Sequence, residues 1–390
     1  MGQFNERVVL QAIRLHDALP KAEIARLTNL TAQTVQLIIA RLETDGLVVK
    51  QAPVRGKVGQ PSVPMALNPD GAFSIGIKIG RRSLDVLLVD FAAQVRERLT
   101  LDYEFPDPDT LFDEIRVRLQ ALRKTLGPKR ARLLHGIGIA APLSLGGWQS
   151  LLGIASAQAS KWAAIDIRAQ VATMTDLPVE FVKDTAAACV AELVSGRGRS
   201  LRSFLYIFVD TFIGGGLVID SHLRSGLHGN AGAVGSMPVA GNDRSGGQSA
   251  GMPRQLLSVA SLVNLEALYA EAGLDVHAAT DARAVAAPWR RHTRVWLEQA
   301  SPAIALAINS AACLLDLDGV IIDGSFSREL LAELLDAVAL SLDDTSWEGV
   351  ARPDVLAGTI GSDARALGGA LLPLYANFAP DRDLFLKTAP

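Results

Sequence analysis

Cysteine is nearly missing from this chain: 390 residues hold two, Cys189 and Cys313. Neither belongs to a CxxC pair, so no zinc cluster can be built from cysteine alone, and the low count suits a reducing cytoplasm. Long apolar runs are missing too. Although 49% of the residues are hydrophobic, no stretch is long enough to span a bilayer. The N-terminus lacks the charged, then apolar, then small order of a signal peptide. These absences predict a soluble, cytoplasmic protein with no membrane partner. A strong net charge is also lacking, at −3, but the charge is uneven. Residues 1–66 carry eight Lys/Arg against five Asp/Glu, and the remainder carries thirty against thirty-six. A small basic head on an acidic body points to nucleic acid at one end. The length suggests two or three domains.

What is present begins with three helical patterns. The first runs from about Asn5 to His16, with Val8, Val9 and Ile13 on one face. The second starts after Pro20 and carries Ile24 and Leu27. After the turn Asn29-Leu30, Thr31 is a good N-cap for a third helix, with Val35, Ile38 and Leu42 as its buried stripe and Gly46 at its end. A strand from Leu47, the loop PVRGKVGQP and a second strand over Ser62–Leu67 form a wing. Helix, turn, helix and wing in this order outline a winged helix-turn-helix over residues 1–70. Its third helix would lie in the major groove. Gln33, Thr34 and Gln36 are the polar outward positions there, and Thr31 at the cap is a DNA-binding candidate with them. Gln pairs bidentately with adenine, and Thr can hydrogen-bond a base or touch a thymine methyl. Arg41, a turn further on, fits a phosphate. Arg55, Lys57 and Gln60 stand in the glycine-bearing wing, where slim basic loops reach backbone or minor groove.

From Gly71 the pattern changes. FSIGIKIG and LDVLLVDF read as paired strands, LHGIGIAAP as a buried strand, and VEFVKDTAAACVAELVSG as a strand running into a helix. SFLYIFVDTFIGGGLVID reads as two strands around a glycine turn. Helical stretches over Ser258–Ala272 and Thr293–Asp316 follow, then the strand GVIIDGS and a closing helix in GSDARALGGALLPLYANF. Strands mixed with helices make an α/β body. Two strand-rich halves predict two lobes. The first spans 71–185, with the closing helix at about 361–380 packing back on it. The second spans 186–360.

With the winged head, the glycine-rich basic wing and this body in view, the chain resembles the ROK (repressor, open reading frame, kinase) family. It is similar to that family's repressors of xylose or N-acetylglucosamine genes, over nearly the whole length. The resemblance implies a two-lobed actin-like, sugar-kinase-like body. It implies a homodimer or tetramer, with a dimerisation surface on the second lobe, that binds double-stranded operator DNA and responds to a sugar or sugar derivative.

The resemblance also locates departures from the family's pattern. The phosphate hairpin normally supplies an Asp, then glycines and a Thr. Here it reads Lys78-Ile79-Gly80-Arg81-Arg82-Ser83, with Lys78 at the Asp position and bulky Arg81 where backbone must approach a phosphate. The second phosphate loop, GTGIGGG in the kinases, reads Asp210-Thr211-Phe212-Ile213-Gly214-Gly215-Gly216. Asp210 would put negative charge near the phosphates and Phe212 would fill their space. The kinases' Asn-Asp pair is Lys183-Asp184. Asp184 could take a proton from a sugar hydroxyl, hold the hydroxyl without chemistry, or cap the following helix, and Lys183 would weaken it as a base. The family's GxAGExGH becomes Gly229-Asn230-Ala231-Gly232-Ala233-Val234-Gly235-Ser236. The sugar-binding Glu is thus Ala233 and the zinc-binding His is Ser236. No cysteine stands between Asn242 and Leu257, and Leu257 takes the place of a later sugar-binding Glu. His222 and His228 read as loop residues. No metal or cofactor is expected. An Asn that precedes Trp162 in the family maps to Gln158. Asp184, Lys183, Gln158 and Asn230 are the remaining effector-binding candidates, for an effector less hydroxylated than a sugar or for a vestigial site. The reading is a DNA-binding regulator, a repressor of carbohydrate-related genes without catalytic residues. The alternatives are an ATP-dependent sugar kinase with an appended DNA-binding domain, and a constitutive DNA-binding protein with a dead sensor.

Overall fold

The computed structural model describes residues 2–54, 62–143, 145–147, 155–239 and 254–380. The chain forms two compact units. The first holds residues up to 149, residues 154–187 and residues from 365 onward, and the second holds 150–153 and 188–364.

The first unit opens with α1 (Gly2–His16), β1 (Ala18–Pro20), α2 (Lys21–Thr28), α3 (Ala32–Thr44), β2 (Val48–Lys50) and β3 (Pro64–Leu67). The three strands form an antiparallel sheet in the order β1-β3-β2. The short β1 joins α1 to α2. α2 ends at Asn29 in the left-handed conformation, with φ of 54°, a region where Asn is tolerated. Val9 and Ile13 of α1, Ile24 of α2 and Val35, Ile39 and Leu42 of α3 are buried together with Met65. Each such side chain contributes about 1.5–3 kcal/mol on burial. Leu27 is 37% exposed and lies outside this core.

A mixed sheet follows: β4 (Phe73–Ile79), β5 (Ser83–Asp90), β6 (Val95–Asp102), β7 (Leu134–Ala141) and β8 (Val179–Lys183), in the order β6-β5-β4-β7-β8. The first three strands pair antiparallel, whereas β4, β7 and β8 run parallel. β4 is buried along its whole length, as a central strand covered on both faces requires, while β6 at the edge alternates between half-buried and exposed. α4 (Pro108–Ala131) and the short α5 (Ser156–Ser160) and α6 (Ile167–Ala172) separate β7 and β8 from their neighbours in sequence. α7 (Asp184–Ser195) leaves directly from β8.

The second unit repeats the plan. Its sheet holds β9 (Phe204–Val209), β10 (Gly214–Ile219), β11 (His222–Arg224), β14 (Gly319–Gly324) and β15 (Asp354–Ala357), in the order β11-β10-β9-β14-β15, again antiparallel on one side and parallel on the other. The two-residue strands β12 (Pro238–Val239) and β13 (Arg254–Gln255) form a separate ladder. The stretch expected as one helix over Ser258–Ala272 is two, α8 (Leu257–Ala260) and α9 (Leu262–Glu271). Ser261 between them is extended, and its buried hydroxyl donates to Leu257 O and accepts from Ile213 N. α10 (Arg290–Ala312) and α11 (Arg328–Asp343) complete the unit, with Trp296, Ile304, Ile308, Leu334 and Val338 in its core.

The closing helix, α12 (Ala364–Phe378), belongs to the first unit from Arg365 onward. It lies against β4 and β7 because those strands offer no side chain at the contact. A Cβ on Gly76 would stand 1.9 Å from Ala366 O, and one on Gly138 would stand 1.8 Å from Gly369 O. Ser74 ties the same face down by donating to Ala370 O at 2.6 Å.

Candidate functional site

Three parts of the molecule carry most of the expected functional residues: the outward face of α3, the β4–β5 hairpin, and the end of β8.

On α3, Thr31 caps the helix by accepting from Thr34 N at 3.2 Å, and the two threonine hydroxyls lie 2.8 Å apart. The Thr34 hydroxyl is therefore engaged within the cap, and the residue is half-buried. Gln33 and Gln36 are exposed. Burial of Val35, Ile38, Ile39 and Leu42 orients them outward, since residues on one face recur at three and four positions. Arg41 is exposed, but its guanidinium is paired with the Glu6 carboxylate of α1, which offsets part of its charge. Arg55, Lys57 and Gln60 lie outside the described residues. Val54 and Ser62, which flank that stretch, form an antiparallel bridge with N–O distances of 2.8 and 3.1 Å. Glu6 and the exposed Leu37 went unnoticed in the sequence. The signal for Leu37 was its place one residue beyond Gln36 on the outward row.

This N-terminal bundle is fastened to the rest of its unit by an aromatic seat. The Arg14 guanidinium of α1 lies 5.0 Å from the Phe91 ring centroid and 5.1 Å from that of Tyr375 in α12. Phe378 meets Phe91 edge-on at 4.7 Å and His135 at 4.8 Å. Burial holds the His135 imidazole below its ordinary pKa. Arg7 Nη1 donates to Ala379 O at 3.4 Å.

At the hairpin, Lys78 is 5% exposed. Its ammonium donates to Ser83 Oγ and, at 2.7 Å, to Asp85 Oδ2. Thr100 Oγ1 donates to the other Asp85 oxygen at 2.8 Å. Burial works to raise the Asp85 pKa, but the Lys78 charge and hydrogen bond, the Thr100 hydroxyl and the Arg365 charge outweigh it, and the carboxyl sits below its usual range. The Lys78 stem also fills the space beside Gly80, where a Cβ would lie 2.6 Å from Lys78 Cε. Tyr103 closes the turn by donating to Gly80 O at 2.8 Å, and burial raises its phenol pKa. The backbone a phosphate would approach is thus lined by this chain's own ammonium, itself neutralised by a carboxylate.

At the end of β8, Asp184 is nearly buried. Its Oδ1 accepts from Thr185 N at 2.8 Å, and its Oδ2 lies 4.0 Å from Arg365 Nη1 of α12. Lys183 is half-buried, and burial lowers its pKa while Asp184 acts in the opposite direction. A cavity of about 730 Å³ lies in the same unit, walled by Trp162, Leu145, Ile165 and Phe181 among others. Trp162 is turned away from polar duty, its indole N–H donating to Pro106 O at 2.9 Å. Asp184, Lys183 and Gln158 are not among the residues that wall this cavity. Gln158 is half-buried on α5. Asn230 belongs to the second unit, in an exposed turn where its carbonyl accepts from Ala233 N at 3.1 Å.

In the second unit the glycines of the stretches 210–216 and 229–236 have packing roles. A Cβ on Gly215 would meet Tyr206 O at 2.2 Å, and one on Gly235 would meet Ile213 O at 2.3 Å. Gly232 has φ of +73° and lies against the Gly216 backbone. Close backbone approach thus accounts for glycine at these positions. Phe212 packs on the unit's core. Among the described residues, no group of His, Cys, Asp or Glu could hold a metal ion. No described helix is long and apolar enough to cross a membrane. Two buried carboxylates unmarked in the sequence clamp one turn: Asp323 accepts from Gly361 N at 2.7 Å and from Arg328 at 2.9 Å, and Glu192 accepts from Ile360 N at 2.9 Å. Burial raises the Glu192 pKa.

The sequence model of the ROK family matches residues 74–375. The chain belongs to the ROK family. It is similar to the xylose repressor of Bacillus subtilis (strain 168), at 24% identity over 239 residues, 60% of each chain. Among solved structures, a ROK family transcriptional regulator, a homologue of the E. coli MLC protein, superposes with a TM-score of 0.67 at 19% identity, over 97% of both chains. A ROK glucokinase from Streptomyces griseus, solved with glucose and AMPPNP, superposes with a TM-score of 0.60 at 20% identity. That match covers 77% of this chain and 99% of the kinase. At these identities the two structures establish the shared ROK actin-like α/β fold.

Proposed function

We propose that this ROK chain is a sequence-specific DNA-binding repressor. The first seventy residues act as a winged helix-turn-helix, and the α/β body serves as a scaffold that self-associates and holds a small effector without phosphorylating it. The observation that carries the reading is the outward face of α3, where Gln33 and Gln36 stand exposed at the first turns of a capped helix. In a groove-bound helix these positions reach base edges, while Arg41, Arg55, Lys57 and Gln60 serve phosphate or minor-groove contact. Thr31 and Thr34 set the helix start. The likeness to the xylose repressor supports repression of carbohydrate-related genes by a sugar-like effector. In the body, Asp184, Lys183, Gln158 and Asn230 are the effector-binding candidates. A homodimer or tetramer places two heads on an inverted repeat.

A second reading, an ATP-dependent sugar kinase, draws on the retained Asp184 and on the glucokinase fold. The filled Lys78 hairpin opposes it. Two measurements separate the readings. Fluorescence anisotropy of the full-length protein on genomic fragments should detect duplexes bound with a steep salt dependence. ADP release with ATP and a panel of sugars should stay at background. Turnover of any sugar would replace the regulator reading with the kinase reading, and a head indifferent to every duplex would remove the repressor reading altogether. Thermal-shift screening of the same panel, extended to sugar acids and polyols, distinguishes a live sensor from a dead one.

A further inference from the structure

The outward row of α3 is Gln33, Gln36, Leu37 and Ala40, spaced three, four and seven residues from the first, and all four are exposed. Leu37, at 68% exposure, stands in the middle of this row. A single exposed leucine is ordinary on a protein surface. This one sits where a reading helix meets the floor of the major groove, and its neighbours are chemically selective in the same direction. Gln pairs with the N6 and N7 edge of adenine, and an apolar side chain packs on the thymine C5-methyl. Guanine is read mainly by Arg or Lys. The only cation in α3 is Arg41, whose guanidinium is held by Glu6, and the Thr34 hydroxyl is engaged by Thr31. Thr44, further along the helix, donates its hydroxyl to Ala40 O at 2.9 Å.

We infer that α3 reads A·T base pairs, with Leu37 as a specificity-determining contact to a thymine methyl beside the two glutamines. This inference rests on the DNA-binding reading above and specifies its ligand: duplex DNA whose half-site is A·T-rich where α3 lies.

The test uses the full-length protein in two steps. Selection from a randomised duplex library yields a motif, and its half-sites should be dominated by A·T pairs. Each selected thymine is then replaced by deoxyuridine, which keeps every hydrogen-bonding group and removes only the methyl. Wild-type protein should bind roughly fourfold more weakly when the contacted thymine is replaced, the worth of one buried methyl group. L37A, a change at an exposed position, should still bind and should no longer distinguish thymine from uracil. Equal wild-type affinity for both duplexes, or G·C pairs selected under α3, would overturn the inference while leaving DNA binding intact. A library from which no sequence is enriched would overturn the DNA-binding reading and this inference with it.

Discussion

The outward face of α3 and the β4–β5 hairpin both carry polar side chains in a short turn-bounded segment, yet they commit them differently. On α3, Gln33 and Gln36 point into solvent with no hydrogen-bond partner among the described residues. At the hairpin, Lys78 is buried and its ammonium donates to Ser83 and Asp85. A polar group without an internal partner gives up only water when a ligand arrives. One inside a satisfied, half-buried network must first break it, which costs about 1–3 kcal/mol per group left unpaired. On the proposed reading, ligand recognition falls to α3, while the side chains of the β4–β5 hairpin are already committed to one another.

The sharpest way to break this comparison is Lys78→Ala. If the hairpin is a structural ion pair, removal of the ammonium leaves the Asp85 carboxylate partly buried without its counter-charge. Chemical denaturation should then show a loss of about 3 kcal/mol, with the base preference of the head unchanged. No loss of stability, or a gain of ATP binding, would place the hairpin back among ligand sites. The next effect is in the head. Gln33→Ala should lower discrimination between A·T and other pairs by about 1–3 kcal/mol in competition binding, with stability changed by less than about 0.5 kcal/mol. A large stability loss there would show that the glutamine is committed internally after all.

A pH titration sharpens the hairpin side. The Asp85 carboxyl has its pKa below the ordinary value in the folded chain. Its contribution to stability is therefore complete above the unfolded value of about 3.9 and is lost as pH falls through the lower folded value. Asp85→Asn should flatten that part of the acid limb of the stability curve, and an unchanged limb would mean that the pair contributes nothing. The smallest effect is expected in the wing. Lys57→Ala should weaken binding to all duplexes alike and reduce the slope of log affinity against log salt by about 0.9. A change in base preference instead would move Lys57 from backbone contact to base reading.

Much of the head was legible because its signals are local. Thr31, the apolar spacing of Val35, Ile38 and Leu42, and the break at Asn29 each act within one or two turns. The strands β4, β5, β7, β9 and β14 were legible as short apolar runs. β6 and α4 were passed over, although β6 alternates strictly and α4 buries Leu111, Ile115, Leu119 and Leu122 at helical spacing. Reading strands by apolar runs misses an edge strand with one wet face. The division between α8 and α9 was invisible because Ser261 is extended to satisfy Ile213 N, a partner far away in the chain.

The sequence by itself determined that a capped helix follows a turn near the N-terminus, that Lys78 stands in the first of two apolar paired strands, and that no CxxC pair exists for zinc. Those are statements about identity and short-range periodicity, which propensity and capping carry. Only the tertiary structure decided that Lys78 turns inward to Asp85 and Thr100, that Glu6 holds Arg41, and that Arg14 rests between Phe91 and Tyr375. Each of these contacts depends on strand register or helix docking, which bring together groups that no local pattern relates. Commitment of a side chain is a property of its neighbours in space, and the difference between α3 and the closed hairpin lies there.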